Sequence, residues 1–182
     1  HTIELIPGPK PVAQRAYRLS PEKAKAAHGI ADELIANGQV RPSRSAWSSP
    51  IVLAKKHDGT WRFCVDMRRV NKLTIPDKFP LPRVDDLLDT LQGMALFSVM
   101  DLAAGYWQLP MAEADKDKTA FAVPGRGLLE WNVLPMGLSN SAASFQRAMQ
   151  MVLSGLAWEV CLVYLDDVIV FTPGGEDEHF AQ

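Results

Sequence analysis

Three aspartates at the ends of apolar runs are the side chains in this sequence best suited to chemistry. Asp166 and Asp167 lie between two β-rich apolar runs, residues 160–165 and 168–171, and Asp101 closes a third run, "FSVMD". Aspartate has a poor strand propensity, and two carboxylates about 4 Å apart repel each other by about 4 kcal/mol near a protein surface. A bound cation would relieve that repulsion, and oxygen donors without His or Cys favour a hard ion such as Mg²⁺ over Zn²⁺.

Two interpretations of these aspartates remain open on spacing alone. If the strand that ends at Asp101 lies beside the hairpin at Asp166, the three carboxylates gather at one edge of a sheet. Metal ions held between carboxylates and phosphates are the usual means of phosphoryl or nucleotidyl transfer. In the structural alternative, Asp101 caps the end of a strand, and Asp166 and Asp167 form the polar tip of a hairpin.

The basic residues are concentrated in the other half of the chain. Residues 1–75 carry 13 Lys and Arg residues against 6 Asp and Glu residues, whereas residues 76–182 carry 6 against 15. The basic excess is densest from Arg41 to Lys72. Such a cluster can hold phosphates, although a solvated charged face is the alternative for any basic stretch.

A β-hairpin is predicted to carry the central part of this basic cluster. Residues 51–56 and 61–66 are two short β-rich runs on either side of a turn that contains Asp-Gly, and the second run alternates in polarity, a pattern typical of two paired strands. The period of two places Arg62 on the face opposite Trp61 and Phe63. The hairpin would therefore present Lys55, Lys56 and Arg62 from a stiff arm.

Apolar periodicity and turn residues predict the remaining elements. Helices are expected over residues 20–38, 83–91 and 141–156, a buried strand over 96–102, and strands over 119–123 and 128–134. The last helix should turn four side chains inward, namely Phe145, Ala148, Met149 and Val152.

The composition excludes several classes of protein. The chain of 182 residues is 47% hydrophobic and 22% charged, which is typical of a globular protein and excludes disordered and collagen-like chains. No apolar run approaches the roughly 20 residues of a membrane span, and no signal pattern precedes the first helix. Two isolated cysteines, Cys64 and Cys161, suit a reduced intracellular compartment. Because the chain begins at His1, we expect it to be a piece of a longer protein.

Five ordered blocks of this sequence resemble a known family. The blocks "KKHDGTWRFCVDMRRVNKLTIPDKFPLP", "FSVMDLAAGYWQL", "KTAF", "LPMGLSNSAASFQRAM" and "VYLDD" are similar to the fingers and palm of a reverse transcriptase. The similarity is greatest to the polyproteins of Ty3/gypsy-type long-terminal-repeat retrotransposons, and it covers nearly the whole chain.

The resemblance implies an α+β fold of the polymerase right-hand type. The palm would be a small antiparallel sheet backed by helices, joined to a fingers subdomain, with the thumb absent from this chain. The implied division places the fingers in residues 1–76 and 109–139, and the palm in residues 77–108 and 140–182.

The resemblance also implies roles for individual residues. Asp101 and Asp166, with Asp167 beside them, would hold two Mg²⁺ ions, for which Mn²⁺ could substitute. The implied nucleotide-binding residues are Lys56 and Arg62 at the triphosphate, Tyr106 as a steric gate against ribose, and Met136 and Gly137 in the pocket. The implied primer- and template-binding residues are Leu165, Arg68 and Asn71.

Some of these roles have alternatives, and the sequence departs from the family at a few positions. Phe145 and Gln146 would support the pocket from the helix behind it, although Phe145 as simple core packing, and Tyr106 as a residue packed after a strand, remain open. The family commonly has Phe or Gln where Met136 stands, and Pro where Ala142 stands. None of these departures removes an implied metal ligand.

The activity implied is RNA-directed DNA synthesis. The implied partners are an RNA template, a DNA or tRNA primer, deoxynucleotides, and the thumb, RNase H and integrase regions of the polyprotein, inside cytoplasmic virus-like particles and without a membrane. Because affinity for nucleic acid sums over many phosphate contacts, the fragment without a thumb should show little or no processive synthesis. The alternatives are an inactive or domesticated nucleic-acid-binding remnant and a metal-dependent phosphohydrolase, for which no His is placed as a base.

Overall fold

The computed structural model describes residues 1–181 and divides into two compact units. The first unit contains residues 1–76 and 106–141, and the second contains residues 77–105 and the chain from Ala142 onward. The boundaries expected from the sequence were 76, 108 and 139. The identification of the two units as fingers and palm stays a prediction.

The first unit is built on a mixed sheet of five strands. Helix α1 spans Pro21–Ala36, and the Ser20 side chain caps it by accepting a hydrogen bond from the Lys23 backbone N–H, as the sequence predicted. The strands lie in the order β1-β6-β5-β2-β3, with only the β2–β5 pair parallel. They span Val40–Pro42, Ser49–Lys55, Trp61–Val65, Phe121–Val123 and Gly127–Trp131 for β1, β2, β3, β5 and β6.

The predicted hairpin is confirmed as the antiparallel pair β2–β3. Its two strands pair from Ile51 opposite Val65 to Lys55 opposite Trp61. Phe63 lies 5.8 Å from Phe121, measured between ring centroids, so the inward face of β3 packs on the core of the unit. Arg62 is exposed on the other face, as the alternation of polarity required.

Short helices complete the first unit. Helix α2 spans Arg68–Asn71, and a 3₁₀ helix spans Glu113–Thr119, whereas a second 3₁₀ helix, Gly105–Gln108, begins at the last residue of the other unit. Met67 and Val70 on either side of the α2 start are 1% exposed, which anchors this short helix in the core. Residues 4–6 pair with residues 73–75 through backbone hydrogen bonds, so the chain that leaves α2 is held as well.

The second unit contains a small antiparallel sheet of three strands in the order β4-β8-β7. The strands span Leu96–Asp101 for β4, Cys161–Tyr164 for β7 and Asp167–Thr172 for β8, and the helices α3, α4 and α5 span Val84–Thr90, Ser141–Val152 and Glu176–Phe180. Met149 and Leu153 pack on a buried cluster that contains Val163 and Val168. Helix α4 therefore backs the sheet.

Three expectations about the second unit are wrong in detail. Strand β4 was expected to be buried, but Val99 is 67% exposed because β4 pairs with β8 alone and forms the edge of the sheet. Val152 was expected to face inward but is 75% exposed, because it ends α4. The hairpin turn contains Leu165 and Asp166, since Asp167 already pairs with Tyr164 in the ladder.

Within residues 1–181, no helix combines the length and the apolar character that a membrane crossing requires.

The junction between β3 and α2 depends on the side chain of Asp66. Its Oδ1 accepts hydrogen bonds from the Arg68 backbone N–H and from Arg68 Nε, and its Oδ2 accepts from Arg68 Nη2 at 2.6 Å and from the Tyr17 hydroxyl at 3.1 Å. These hydrogen bonds, with those from Arg68 the strongest contribution, lower the pKa of Asp66 to about 2. The charged carboxylate therefore stabilises the folded state.

Replacing this carboxylate should destabilise the protein in a pH-dependent way. Asp66→Asn should lower the free energy of unfolding by about 1–3 kcal/mol at pH 7, because the charge-assisted bonds to Arg68 are lost. The folded pKa of about 2 lies below the ordinary value of 3.8, so the stabilisation is complete above pH 4 and is lost as the pH falls towards 2. Urea unfolding of the parent and the variant between pH 7 and pH 3 measures this. A difference that stays constant over that range would contradict the assignment.

Candidate active site

The three predicted catalytic aspartates come together at one end of the three-stranded sheet. Asp101 closes β4 and Asp167 opens β8, and the two residues stand directly opposite each other in the ladder. Asp166 precedes Asp167 in the turn, and its backbone carbonyl accepts a 3.4 Å hydrogen bond from the Leu102 N–H. We call these three residues the carboxylate cluster. Side chains opposite each other in such a ladder have Cβ atoms about 4.5–5.5 Å apart, so like charges there destabilise the sheet.

Burial and two neighbouring carboxylates both disfavour the ionised form of Asp166. Burial raises the pKa of its carboxyl above the ordinary value, and the charges of Asp101 and Asp167 raise this pKa further. Its Oδ1 is buried and finds no hydrogen-bond partner among residues 1–181. An unpartnered buried oxygen is costly, so this carboxylate is suited to a ligand that brings positive charge.

The donor types of the carboxylate cluster fit a hard divalent cation. Such ions take carboxylate oxygens as ligands, and a cation would both partner the buried oxygen of Asp166 and relieve the repulsion from its neighbours. Within residues 1–181, no three His, Cys, Asp or Glu side chains already stand in the arrangement of a metal site. The fit to a metal therefore rests on charge and donor chemistry.

Gln146 of α4 holds the turn that carries Asp166. Its side chain is fully buried, and its Nε2 donates to the Val163 carbonyl at 3.0 Å while its Oε1 accepts from the Leu165 N–H at 2.9 Å. Leu165 has a φ of +55°, a conformation that β-branched and bulky residues avoid. The amide of Gln146 thus fixes both the end of β7 and the strained first residue of the turn.

Phe145, the neighbour of Gln146, packs against the chain that follows β4. Phe145 is 3% exposed, and a Cβ atom placed on Gly105 would lie 2.9 Å from its Cζ atom. The absence of a side chain at Gly105 therefore lets the backbone approach the ring. This contact is one of core packing, and the role of Phe145 in supporting the nucleotide pocket stays a prediction.

Four of the five predicted nucleotide-binding residues line a cavity of 640 Å³ in the first unit. Lys56 and Arg62 supply its cationic groups, Met136 and Gly137 form another part of its wall, and the other lining side chains are largely apolar or aromatic. We call it the cationic cavity. The fifth residue, Tyr106, is not among its lining residues and is half-buried against the hydrophobic core of this unit.

The predicted primer- and template-binding residues are placed in three different ways. Leu165 is half-buried in the turn held by Gln146. Arg68 is bound to Asp66, but its side chain is 81% exposed, so part of the guanidinium remains accessible to solvent. Asn71 binds the backbone of the segment after Met136, with its Nδ2 donating to the Gly137 carbonyl at 2.8 Å and its Oδ1 accepting from the Ser139 N–H at 2.9 Å.

Some residues of these sites were not found by sequence reasoning. Trp107 and Trp131 line the cationic cavity and lie 5.9 Å apart between ring centroids. Cys64 also lines it, as do Arg62 and the other residues of β3. The prediction of β3 as a strand of the basic hairpin contained the signal for Cys64, whereas the two tryptophans meet only through the tertiary fold.

The fold and these two sites describe a mixed α+β protein, and comparisons with known proteins specify its family. The family described as "Reverse transcriptase (RNA-dependent DNA polymerase)" matches residues 54–181. The chain therefore belongs to the reverse transcriptase family. The predicted resemblance and the predicted fold class are both confirmed.

Two relatives match different shares of this chain. It is 37% identical over 174 residues to the retrovirus-related Pol polyprotein from transposon gypsy of Drosophila melanogaster, covering 92% of this chain and 17% of that protein. It is 43% identical over 111 residues to an RNA-directed DNA polymerase homolog of Oenothera berteroana, covering 61% of this chain and 78% of that protein.

One solved structure has a similar fold over the whole length of this chain. The crystal structure of prototype foamy virus protease-reverse transcriptase matches with a TM-score of 0.82 and 28% sequence identity, covering 100% of this chain and 24% of that one. The chain thus spans less than a quarter of the polyprotein from gypsy and of the foamy virus protein.

Loss of the Gln146 amide should unfold the turn that carries Asp166. Gln146→Leu keeps a similar volume but leaves the Val163 carbonyl and the Leu165 N–H without their partner, so the free energy of unfolding should fall by about 2–5 kcal/mol. Chemical denaturation measures this, with Gln150→Leu on the same helix as the matched control. Equal losses in the two variants would show that the amide does not hold the turn.

Proposed function

We propose that this chain carries the catalytic part of an RNA-directed DNA polymerase, which adds deoxynucleotides to the 3'-hydroxyl of a primer. The buried, unpartnered oxygen of Asp166 beside two further carboxylates is the observation that carries the proposal. Membership of the reverse transcriptase family supports it, since metal ions held by carboxylates are a usual means of nucleotidyl transfer.

The carboxylate cluster would hold two Mg²⁺ ions, with Mn²⁺ as a substitute. When bound, these ions supply charge stabilisation of the transferred phosphate and activation of the primer hydroxyl. The chain's own part is to present the ligands: Asp101 and Asp167 from paired strands, and Asp166 from the turn that Gln146 holds. A fixed turn avoids the reorganisation that a mobile ligand would require at the moment of reaction.

The cationic cavity would bind the incoming deoxynucleotide. Lys56 and Arg62 would pair with the triphosphate, because an ammonium and a guanidinium form charge-assisted hydrogen bonds with phosphate oxygens. Met136 and Gly137 would contact the nucleotide from the wall of the same cavity. Tyr106 would exclude a ribose 2'-hydroxyl, so that the product is DNA.

The primer and template would contact exposed parts of the chain. Arg68 has a guanidinium that is oriented by Asp66 and largely exposed, which suits a backbone phosphate. Leu165 would touch the end of the primer from the turn. The substrates would be an RNA template and a DNA or tRNA primer, and the partners would be the thumb, RNase H and integrase regions of a retrotransposon polyprotein in cytoplasmic virus-like particles.

The first test is primer extension with a matched pair of aspartate variants. This sequence, joined to the thumb region of the gypsy relative, should extend oligo(dT) on poly(rA) in the presence of Mg²⁺. Asp166→Asn should reduce the rate by at least about 100-fold because a metal ligand is lost, and excess chelator should do the same to the parent. Asp89→Asn, the same change on the exposed face of α3, should leave the rate unchanged.

The failures of this experiment are distinguishable. A folded parent that binds template and primer without extending them, at any Mg²⁺ concentration, would favour an inactive nucleic-acid-binding remnant. Release of phosphate from deoxynucleotides without a primer would favour a phosphohydrolase. Either result would overturn the proposed polymerase activity.

The role of the cationic cavity has its own prediction. Arg62→Ala should raise the KM for deoxynucleotide about 10-fold or more with a smaller change in affinity for template and primer, because a charge-assisted bond to phosphate is lost. Lys25→Ala, which removes an exposed cation from α1 in the same unit, is the control. Equal effects of the two substitutions would indicate a diffuse electrostatic contribution in place of a phosphate contact.

A further inference from the structure

Hydrogen bonds of three side chains hold the segment that follows Met136. Asn71 binds the carbonyl of Gly137 and the N–H of Ser139. The Ser141 hydroxyl donates to the Pro135 carbonyl at 2.9 Å. Asn140 Nδ2 donates to the Ile75 carbonyl at 2.8 Å. Residues 135–141 are therefore fixed although they form no strand.

The bonds made by Asn71 act on the most unusual backbone of this segment. Gly137 has a φ of +97°, a conformation that residues with a side chain rarely adopt, and its carbonyl is the group that Asn71 Nδ2 binds. The neighbouring Met136 is 63% exposed. An exposed methionine beside a glycine would sample many orientations unless its backbone were held.

Helix α2, which carries Asn71, is itself anchored in the first unit. The Asn71 N–H donates to the Met67 carbonyl at 2.8 Å, and Met67 and Val70 are both buried. Pairing of residues 4–6 with residues 73–75 fixes the chain beyond the helix. A fixed amide that binds one carbonyl and one N–H two residues apart transmits this rigidity to residues 137–139.

We propose that Asn71 is a positioning residue for nucleotide binding, which holds Met136 and Gly137 at the wall of the cationic cavity. The inference rests on the proposed function, and it gives Asn71 a role different from the primer or template contact that the family resemblance implied. Both functional ends of its amide are used within the protein. The substrate that depends on it is the incoming deoxynucleotide, whose pocket includes Met136 and Gly137.

The test measures nucleotide affinity without requiring catalysis. The thumb-joined protein is bound to an RNA template with a dideoxy-terminated primer, and the next deoxynucleotide is added with Mg²⁺ to form a ternary complex. Asn71→Ala should need about 10-fold more nucleotide for half-maximal complex, the equivalent of about one hydrogen bond. Affinity for template and primer alone should change less than 2-fold.

Two further variants test whether the result is specific to the hydrogen bonds that Asn71 makes with Gly137 and Ser139. Asn71→Asp keeps the acceptor for the Ser139 N–H and replaces the donor to Gly137 with an oxygen, so it should weaken nucleotide binding at least as much as Asn71→Ala while preserving side-chain volume. Asn132→Ala removes a comparable bond from a side-chain amide to a backbone carbonyl, that of Gly38, and should bind nucleotide like the parent. Amide exchange at Ser139 in the 182-residue chain should accelerate in Asn71→Ala alone.

Each other outcome overturns the inference. Unchanged nucleotide affinity in Asn71→Ala, with an active parent, would refute the positioning role and leave the proposed function intact. A loss of affinity for template and primer without a change for nucleotide would make Asn71 a nucleic-acid contact. A parent that extends no primer and forms no ternary complex would overturn the proposed function and this inference together.

Discussion

The buried amide of Gln146 is the interaction on which the candidate catalytic centre depends. A tight turn that places two aspartates at its end has no glycine to take the left-handed conformation, so Leu165 takes it at φ +55°. The strain is offset by two hydrogen bonds from one side chain that is itself completely buried. Helix α4 packs on the sheet, so it fixes the place of Asp166 through a single residue.

In the first unit, the side-chain amide of Asn71 makes the same kind of paired hydrogen bonds to backbone atoms. Asn71 binds a carbonyl and an N–H of an irregular segment, and that segment contains Gly137 at φ +97°. In both places a side-chain amide satisfies one donor and one acceptor of backbone that cannot join a sheet. Irregular backbone near a ligand site is thereby held without secondary structure, and the neighbouring residues, Asp166 and Met136, stay in defined positions.

The sequence predicted elements better than it predicted their surroundings. The β2–β3 hairpin and the capped helix α1 followed from local signals, alternation in one and Ser20 with Pro21 in the other. Strand β4 was expected to be buried because its residues are apolar, but burial depends on neighbours, and β4 has only one. The turn was misplaced by one residue because a left-handed leucine has no signature in the sequence.

Only a part of each candidate site could be predicted from the sequence. Charge, spacing and family resemblance predicted Asp101, Asp166 and Asp167 as site residues, and the register of β4 against β8 places Asp101 opposite Asp167. The partners of Gln146 and Asn71 could not be predicted, since each amide binds backbone atoms at the far end of a tertiary contact. Backbone atoms carry no residue identity, and a hydrogen bond to them leaves no pattern in the sequence.

The two kinds of site pose opposite electrostatic problems, and the chain solves them with different means. Burial raises the pKa of Asp166, and repulsion by the carboxylates of Asp101 and Asp167 raises this pKa further. The cations on β3 and beside it are exposed on the hairpin. Water screens their charges, so the repulsion between them costs little free energy. Lys55 also lies 5.9 Å from the ring centroid of Trp61, which gives one cation a partner that is not an anion. Neighbouring carboxylates at a strained turn cost free energy of folding. Binding of a positively charged ligand to these carboxylates would offset that cost, which is a physical reason for the chain to keep them there.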